Sequence, residues 1–301
     1  MTIFKSRGAT QKLGPINFGS KIVRFRVSNI DKRFIVHEDL ICHTSTLFKT
    51  KLQKNRRIRK SSSSAFEECC ICQDDLNPIT KDITYCITCG KDIHDICIEK
   101  WKRTAAQREG GRTLPTCPMC RAPWKNEPLL KHLNLHENLD ADAVQIYIDW
   151  MYSSAIRVPS SITRNTDAFN VMLMKCWAVA SAVQDMAFRN AVIYAFFTVA
   201  EARFWGSTVH WAFVEGNANA EIKDFVMEIF MNFTNPGWFK RHGAKWPGVF
   251  VRSLADRILG SGKRKDYHEV RSTWLERLEI ETGNSRAWGR ERCYGRERGG
   301  Q

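Results

Sequence analysis

Between residues 69 and 120 the chain carries four pairs of metal-binding side chains, each separated by two residues: Cys69 and Cys72, Cys86 and Cys89, His94 and Cys97, Cys117 and Cys120. Two intervening residues let a tight turn aim both side chains at one ion. Four thiolate or imidazole donors then close a tetrahedral site and leave no position for a reactive water. Eight donors therefore imply two closed, structural Zn2+ ions. The segment is short and polar, with too little apolar surface to fold unaided, so the metal is what folds it.

Eight of the eleven cysteines fall in this block. The first residues, "MTIFKSRGATQKLG", have no continuous apolar core and do not read as a secretory signal, so the expected compartment is reducing, cytoplasmic or nuclear. Clustered cysteines in such a compartment bind metal rather than pair as disulfides. Cys70 breaks the two-residue interval and reads as a packing residue or a bystander. Cys42 and Cys176 lie in apolar helical patterns and read as core, and Cys293 as a free thiol.

The remainder of the 301-residue chain is 43% hydrophobic, enough for a proper core. Its most apolar region, "NVMLMKCWAVASAVQ", is broken by Lys175, Gln184 and Asp185, which excludes a membrane span. "KIVRFRV" and "KRFIV" alternate apolar and polar side chains and predict a hairpin. "HEDLICHTSTLFKTKL" has helical spacing through Leu40, Ile41, Leu47 and Phe48. "LLKHLNLHE" reads as a strand, and "DADAVQIYIDWMY" as a helix with an acidic first turn. Further helices are expected at 167–184, 186–200, 218–233, 248–259 and 266–281. The net charge of +14 lies partly in "KLQKNRRIRK" and in the arginine-rich tail. Neither run has aromatics spaced for base stacking, so they read as a solvated linker and a disordered tail, not a nucleic-acid site. "GSGKRK" near residue 261 lacks the upstream glycine of a phosphate loop and reads as a loop after a helix ending at Leu259.

Two zinc-finger families share this ligand order, the RING and the PHD finger. The residues between the ligands resemble a RING: "CCIC" places Ile71 inside the first pair, "CIEKW" puts Trp101 four residues after Cys97, and "CPMCR" places Pro118 inside the last pair. A PHD finger usually has an aromatic where this chain has Pro115, two residues before its seventh ligand. Its trimethyl-lysine cage also needs two or more aromatics. One departure from common RINGs is "CGK", which puts Lys91 where a ligating histidine usually stands; Cys86 and Cys89 restore the count. The RING resemblance implies a cross-brace in which Cys69, Cys72, His94 and Cys97 share one ion and Cys86, Cys89, Cys117 and Cys120 the other. It further implies a ubiquitin-protein ligase. Ile71, Trp101 and Pro118 would contact a ubiquitin-conjugating enzyme, and Arg121, at the family's linchpin position, would bridge that enzyme to ubiquitin.

The flanks resemble a BTB/POZ domain. In "RFIVHEDLICHTSTLFKTKL", His37, Leu40, Ser45 and Phe48 match its opening, with Thr46 in place of a usual proline. "LDADAVQIYIDWMYSSAI" and "LMKCWAVASAVQDMAFRNAVI" are similar to later BTB segments, and "STVHWAFVEGNANAEIKDFVMEIF" to C-terminal extensions of BTB proteins common in filamentous fungi. The resemblance implies an α+β chain with a small cross-brace finger inserted in a mostly helical BTB-like domain, followed by a helical extension. Its expected parts are a flexible lead-in (1–18), the first BTB part (19–58), a Ser/basic linker (59–66), the finger (67–126), the second BTB part (127–200), the extension (201–282) and a disordered tail (283–301). The finger is expected to project outside, on tethers such as "SSSSA" and "APWKNEP". A BTB-mediated homodimer or a cullin scaffold is the partner such a domain implies. A non-catalytic scaffold or cullin adaptor, and a PHD-type histone reader, are the alternatives.

Overall fold

The computed structural model describes residues 4–5, 18–27, 31–56, 67–77, 80–108, 115–125, 130–135, 138–163, 166–199, 206–215, 218–233, 237, 246–261 and 266–282. The chain is mixed α and β and divides into two compact units. One is Gly14–Met151 with Val179–Asp185; the other is Met1–Leu13, Tyr152–Ala178 and Met186–Gln301. The Ser/basic linker, Cys293, the loop after Ser261 and the tail lie outside the described residues.

The first unit is built on a three-stranded sheet. Beyond β1 (Phe4–Lys5), strands β2 (Ile22–Val27) and β3 (Arg33–His37) form the expected antiparallel hairpin. Alternation sends Val23, Phe25, Val27, Phe34 and Val36 to the buried face. Phe25 stacks on Phe34 at 5.4 Å and meets Phe48 edge-on at 5.5 Å, which fixes the helical layer over that face.

That helical layer is not the continuous run that apolar spacing suggests. It breaks into α1 (Glu38–Thr44) and α2 (Thr46–Leu52) at Ser45, whose backbone is extended. The Ser45 hydroxyl accepts the Phe48 N–H at 3.2 Å, capping α2, and donates to the Val183 carbonyl at 2.5 Å. Asp185, buried beside it, accepts from Thr44 Oγ1 and from the Tyr147 hydroxyl. Burial and the Asp185 carboxylate raise the Tyr147 pKa, so this phenol stays a donor.

The third strand of the sheet comes from beyond the cysteine block. After β4 (Ile83–Tyr85), β5 (Asp92–His94) and α3 (Asp95–Arg108), strand β6 (Leu130–Leu135) lies parallel to β2, from Ile22 opposite Leu130 to Val27 opposite Leu135. The block therefore occupies the connection between α2 and β6. Its two ends are held together by Lys131 of β6, which donates to the carbonyl of Leu52, the last residue of α2, at 3.0 Å and pairs with buried Glu38 at 2.9 Å. Helix α4 (Ala141–Ser153) completes the unit, with Asp140 capping its first turn through the N–H groups of Asp142 and Ala143.

The block does not hang free on its tethers. Arg56 donates from Nη1 to Asp39 at 2.6 Å and from Nε to Asp92 of β5 at 3.1 Å, with the Asp92 side chain 6% exposed. Tyr85 of β4 donates to the same Leu52 carbonyl at 3.4 Å, and both Lys21 and Arg56 lie over its ring. Asn55 donates to the Ile87 carbonyl at 2.6 Å. The two carboxylates outweigh desolvation and keep the Arg56 guanidinium firmly charged. Arg56→Ala removes this cation from buried Asp92 and from Asp39, a loss expected to destabilise this unit by about 3 kcal/mol. Thermal melting checks it; an unchanged midpoint would mean that solvent replaces the guanidinium.

The second unit is helical. Strand β7 (Ala155–Ile156) pairs antiparallel with β1, so Phe4 and Lys5 are part of the fold although the sequence reads there as a lead-in. Helices α5 (Asp167–Ala182), α6 (Met186–Val199), α7 (Gly206–Phe213), α8 (Ala220–Phe233), α9 (Gly248–Ser261) and α10 (Tyr267–Thr282) follow. Phe225 of α8 is its aromatic hub, within 5.8 Å of Trp177, Phe196, Phe197 and Trp274 by ring centroid. The Trp274 indole donates to Glu228 at 3.0 Å, so burying this large ring leaves no orphan donor. Among the described residues no helix is long and apolar enough to cross a membrane.

Candidate metal centres

Three of the four ligand pairs fold as the same backbone knuckle. In each, the N–H of the fourth residue after the first cysteine donates back to that cysteine's carbonyl: Gln73 to Cys69 (2.8 Å), Gly90 to Cys86 (2.7 Å) and Arg121 to Cys117 (3.0 Å). The cysteine N–H in turn donates to the residue five places on: Cys69 to Asp74, Cys86 to Lys91, Cys117 to Ala122. Closing so tight a loop demands a left-handed residue just after the second cysteine, and Gln73, Gly90 and Arg121 have φ of 64°, 73° and 60°. Glycine meets this demand freely in one knuckle; Gln73 and Arg121 meet it at some cost in the other two.

The pair His94 and Cys97 is built differently. His94 ends β5 and Cys97 lies in the first turn of α3, so a strand-to-helix junction aims both inward. His94 Nε2 stands 3.1 Å from the Asp75 carbonyl, while Nδ1 faces Cys72 Sγ at 3.3 Å and Cys97 Sγ at 3.8 Å. With Nε2–H donated to that carbonyl, the lone pair on Nδ1 is directed at the sulfurs.

The eight donors gather in two groups of four, Cys69, Cys72, His94 and Cys97 in one and Cys86, Cys89, Cys117 and Cys120 in the other. Within each group all ligand atoms lie within 4.8 Å of one another, and each group could hold a metal ion. The first and third pairs share one group, the second and fourth the other, so the pairs interleave.

The electrostatics of each group favour a cation. Burial works against the Cys69 thiolate, but N–H groups of Cys72, His94 and Ile71 outweigh it and hold its pKa below that of an ordinary thiol. Cys86 is held down in the same way by the N–H groups of Cys89 and Thr88. Burial and then the neighbouring sulfurs push Cys97 up to about 12 and Cys117 up to about 12. The backbone thus supports the Cys69 and Cys86 thiolates, while neighbouring sulfurs oppose ionisation of Cys97 and Cys117 unless a cation balances them.

A small apolar core lies beside the first group: Leu76, Ile93 and Ile98 are buried, with Ile71, Ile83, Trp101 and Trp124 packed against them. Cys70 belongs to this packing layer as well, and burial raises its thiol pKa. The Trp101 indole donates to the Thr116 carbonyl at 3.0 Å, which ties α3 to the knuckle that carries Pro118. Ile71 and Trp101 therefore share one core, and Trp101 reaches the third knuckle. Ile71, Trp101 and Pro118 are each half-buried, and Arg121 is exposed at its left-handed position. Lys91, two residues after Cys89, turns its amine to Glu67 at 2.9 Å. Two exposed apolar side chains of the block were not singled out by sequence, Ile96 at 69% and Met119 at 55%. Their signal was available: each stands beside or between ligands whose own side chains must turn inward.

No protein-family model matches the chain, and the search of curated proteins returned no match.

Proposed function

We propose that this chain is a RING-type ubiquitin-protein ligase that binds two structural zinc ions, with the sheet-and-helix unit around the finger as a BTB-like protein-interaction domain. The observation that carries the proposal is the interleaving of the ligand pairs, with apolar Ile71, Trp101 and Pro118 half-buried beside them. Zinc suits the donors. A tetrahedral ion with Zn–S bonds of about 2.3 Å separates its sulfurs by roughly 3.8 Å. The Cys86–Cys120 and Cys89–Cys117 sulfurs stand 3.8 and 3.9 Å apart. Bound there, zinc supplies rigidity and no reaction chemistry.

The protein's own contribution is positional. Ile71, Trp101 and Pro118 offer an apolar surface to a conjugating enzyme, and Arg121, exposed and charged, offers planar N–H donors to carbonyls of that enzyme and of its thioester-linked ubiquitin. Holding the thioester in one reactive arrangement removes orientational freedom before attack, which lowers the barrier without a covalent intermediate. A methyl-lysine reader is disfavoured by the aromatics: Tyr85 is 3% exposed, and the Trp101 indole is committed to Thr116. A cytoplasmic or nuclear location goes with this reading.

The test is a single-round discharge assay with the purified full chain and a panel of conjugating enzymes preloaded with ubiquitin. Faster transfer to free lysine from at least one enzyme is the expected result. No acceleration from any of them, with both metal sites filled, would overturn the ligase and leave a docking role.

A further inference from the structure

The side of the sheet turned away from the core is built like an anion-binding surface. Register aligns its outward positions in rows across the strands: Arg33, Arg26 and Asn134 in one, and Ile35, Arg24 and His132 in the next. Arg26, Arg33, His132 and Asn134 are exposed, Arg24 is half-buried, and Ile35 is 52% exposed. None of the paired outward positions on the three strands carries a carboxylate. Asp31 lies beyond the paired register, and among the described residues no ion pair joins it to Arg33.

Arg26 and Arg33 are direct cross-strand partners, with Cα atoms about 5 Å apart. Like charges directly opposite one another destabilise a sheet. Arg24 is two residues along the same strand, about 7 Å from Arg26. Three guanidinium groups thus crowd a patch roughly 10 Å across, in a chain of net charge +14. Folding alone gains nothing from this arrangement, whereas a negatively charged partner relieves the repulsion and gains charge-assisted hydrogen bonds.

We infer that this outer sheet face, centred on Arg24, Arg26 and Arg33, docks an acidic peptide segment of a partner protein. The neighbours of the arginines select peptide over nucleic acid. Base binding uses large aromatic stacking platforms, and the two rows offer no Phe, Tyr or Trp; beside the small His132 ring they offer the aliphatic side chain of Ile35 instead. A carboxylate-rich segment with an apolar residue satisfies both, its carboxylates on the guanidinium groups and its apolar side chain on Ile35. This inference stands without the ligase reading; combined with it, the acidic segment marks the substrate.

The test is fluorescence anisotropy with the full chain at low ionic strength. The probe is a labelled peptide, Glu-Asp-Glu-Leu-Asp-Glu, run beside an oligouridylate of matching charge. The peptide is expected to bind, and binding to fall about tenfold or more in a chain carrying Arg26→Gln and Arg33→Gln. The same pair should hold or raise the melting temperature, because it removes a repulsive contact, which separates lost binding from lost folding. Lys51→Glu with Lys54→Glu, exposed elsewhere in the same unit, should weaken binding far less. No peptide binding, equal loss from the two variant pairs, or tighter oligouridylate binding lost with the arginines would each overturn the inference. No conjugating enzyme is present, so failure here and failure of the ligase are read separately.

Discussion

Cys117→Ser is expected to remove one of two zinc equivalents and to unfold the finger around it, while Cys70→Ser keeps both. Cys117 is fully buried, is a ligand atom of the second group, and opens the knuckle whose carbonyl at Thr116 receives the Trp101 indole. Structural zinc sites contribute about 10 kcal/mol or more of apparent binding free energy, which is folding free energy for a segment whose own apolar core is small. Losing one donor of four forfeits much of that. Cys70 only packs, so a serine there costs what a half-buried thiol contributes. Elemental analysis of the purified wild-type chain should give two zincs, and zero or one would sink the interleaved arrangement. Acidification should release the metal, because protons compete for thiolates and affinity falls as pH falls. The β2–β3–β6 sheet contains no ligand, so its melting transition is expected to survive the Cys117 variant.

What could be read from the sequence was what is set locally. Alternation in "KIVRFRV" and "KRFIV" is enough to specify a hairpin, because each strand's buried face is written in its own residues. The x2 spacing of the ligand pairs is likewise a local property, and α4, α5, α6 and α8 declare themselves by length and apolar spacing. The misses were set from a distance. The break at Ser45 depends on Val183, Gln184 and Asp185, more than a hundred residues on, which accept or pair with that turn. The first turn of helix α7 is satisfied from a distance: Asp167 accepts from the N–H groups of Ser207 and Thr208 and from the Thr208 hydroxyl. No window over 206–213 contains that aspartate. In the candidate site, Gly90 advertises its knuckle, but nothing marks Gln73 and Arg121 as left-handed, since ring closure imposes that conformation on whatever residue follows the second cysteine. The docking of the finger through Arg56 was hidden for a different reason. Arg56 sits in a basic run that looks solvated, and only the fold brings Asp39 and Asp92 to it.

Arg121→Ala and Trp101→Ala are expected to damage ubiquitin transfer in different ways. Trp101 packs on the finger's apolar core and keeps part of its ring exposed, so its loss removes apolar area from the surface offered to the conjugating enzyme. Docking should be abolished, and binding measured with uncharged conjugating enzyme should report it directly. Because the indole also holds the Thr116 carbonyl, Trp101→Phe is the finer probe: it keeps an aromatic face and loses only that bond. Arg121 touches none of the core. Its exposed guanidinium leaves from a left-handed backbone position, outside both ligand groups. If it reaches the conjugating enzyme and ubiquitin together, its contribution is realised only in the assembled, reactive state. Hydrogen bonds from a charged donor are worth about 1.5–3 kcal/mol each, so Arg121→Ala should slow discharge roughly ten- to a hundredfold while docking weakens little. Arg121→Lys keeps the charge without the planar fork and should recover only part of the rate. Zinc content should stay at two in each of these Trp101 and Arg121 variants. An Arg121→Ala chain that loses docking and discharge in equal measure would remove the bridging role and leave Arg121 as one more contact on the docking face.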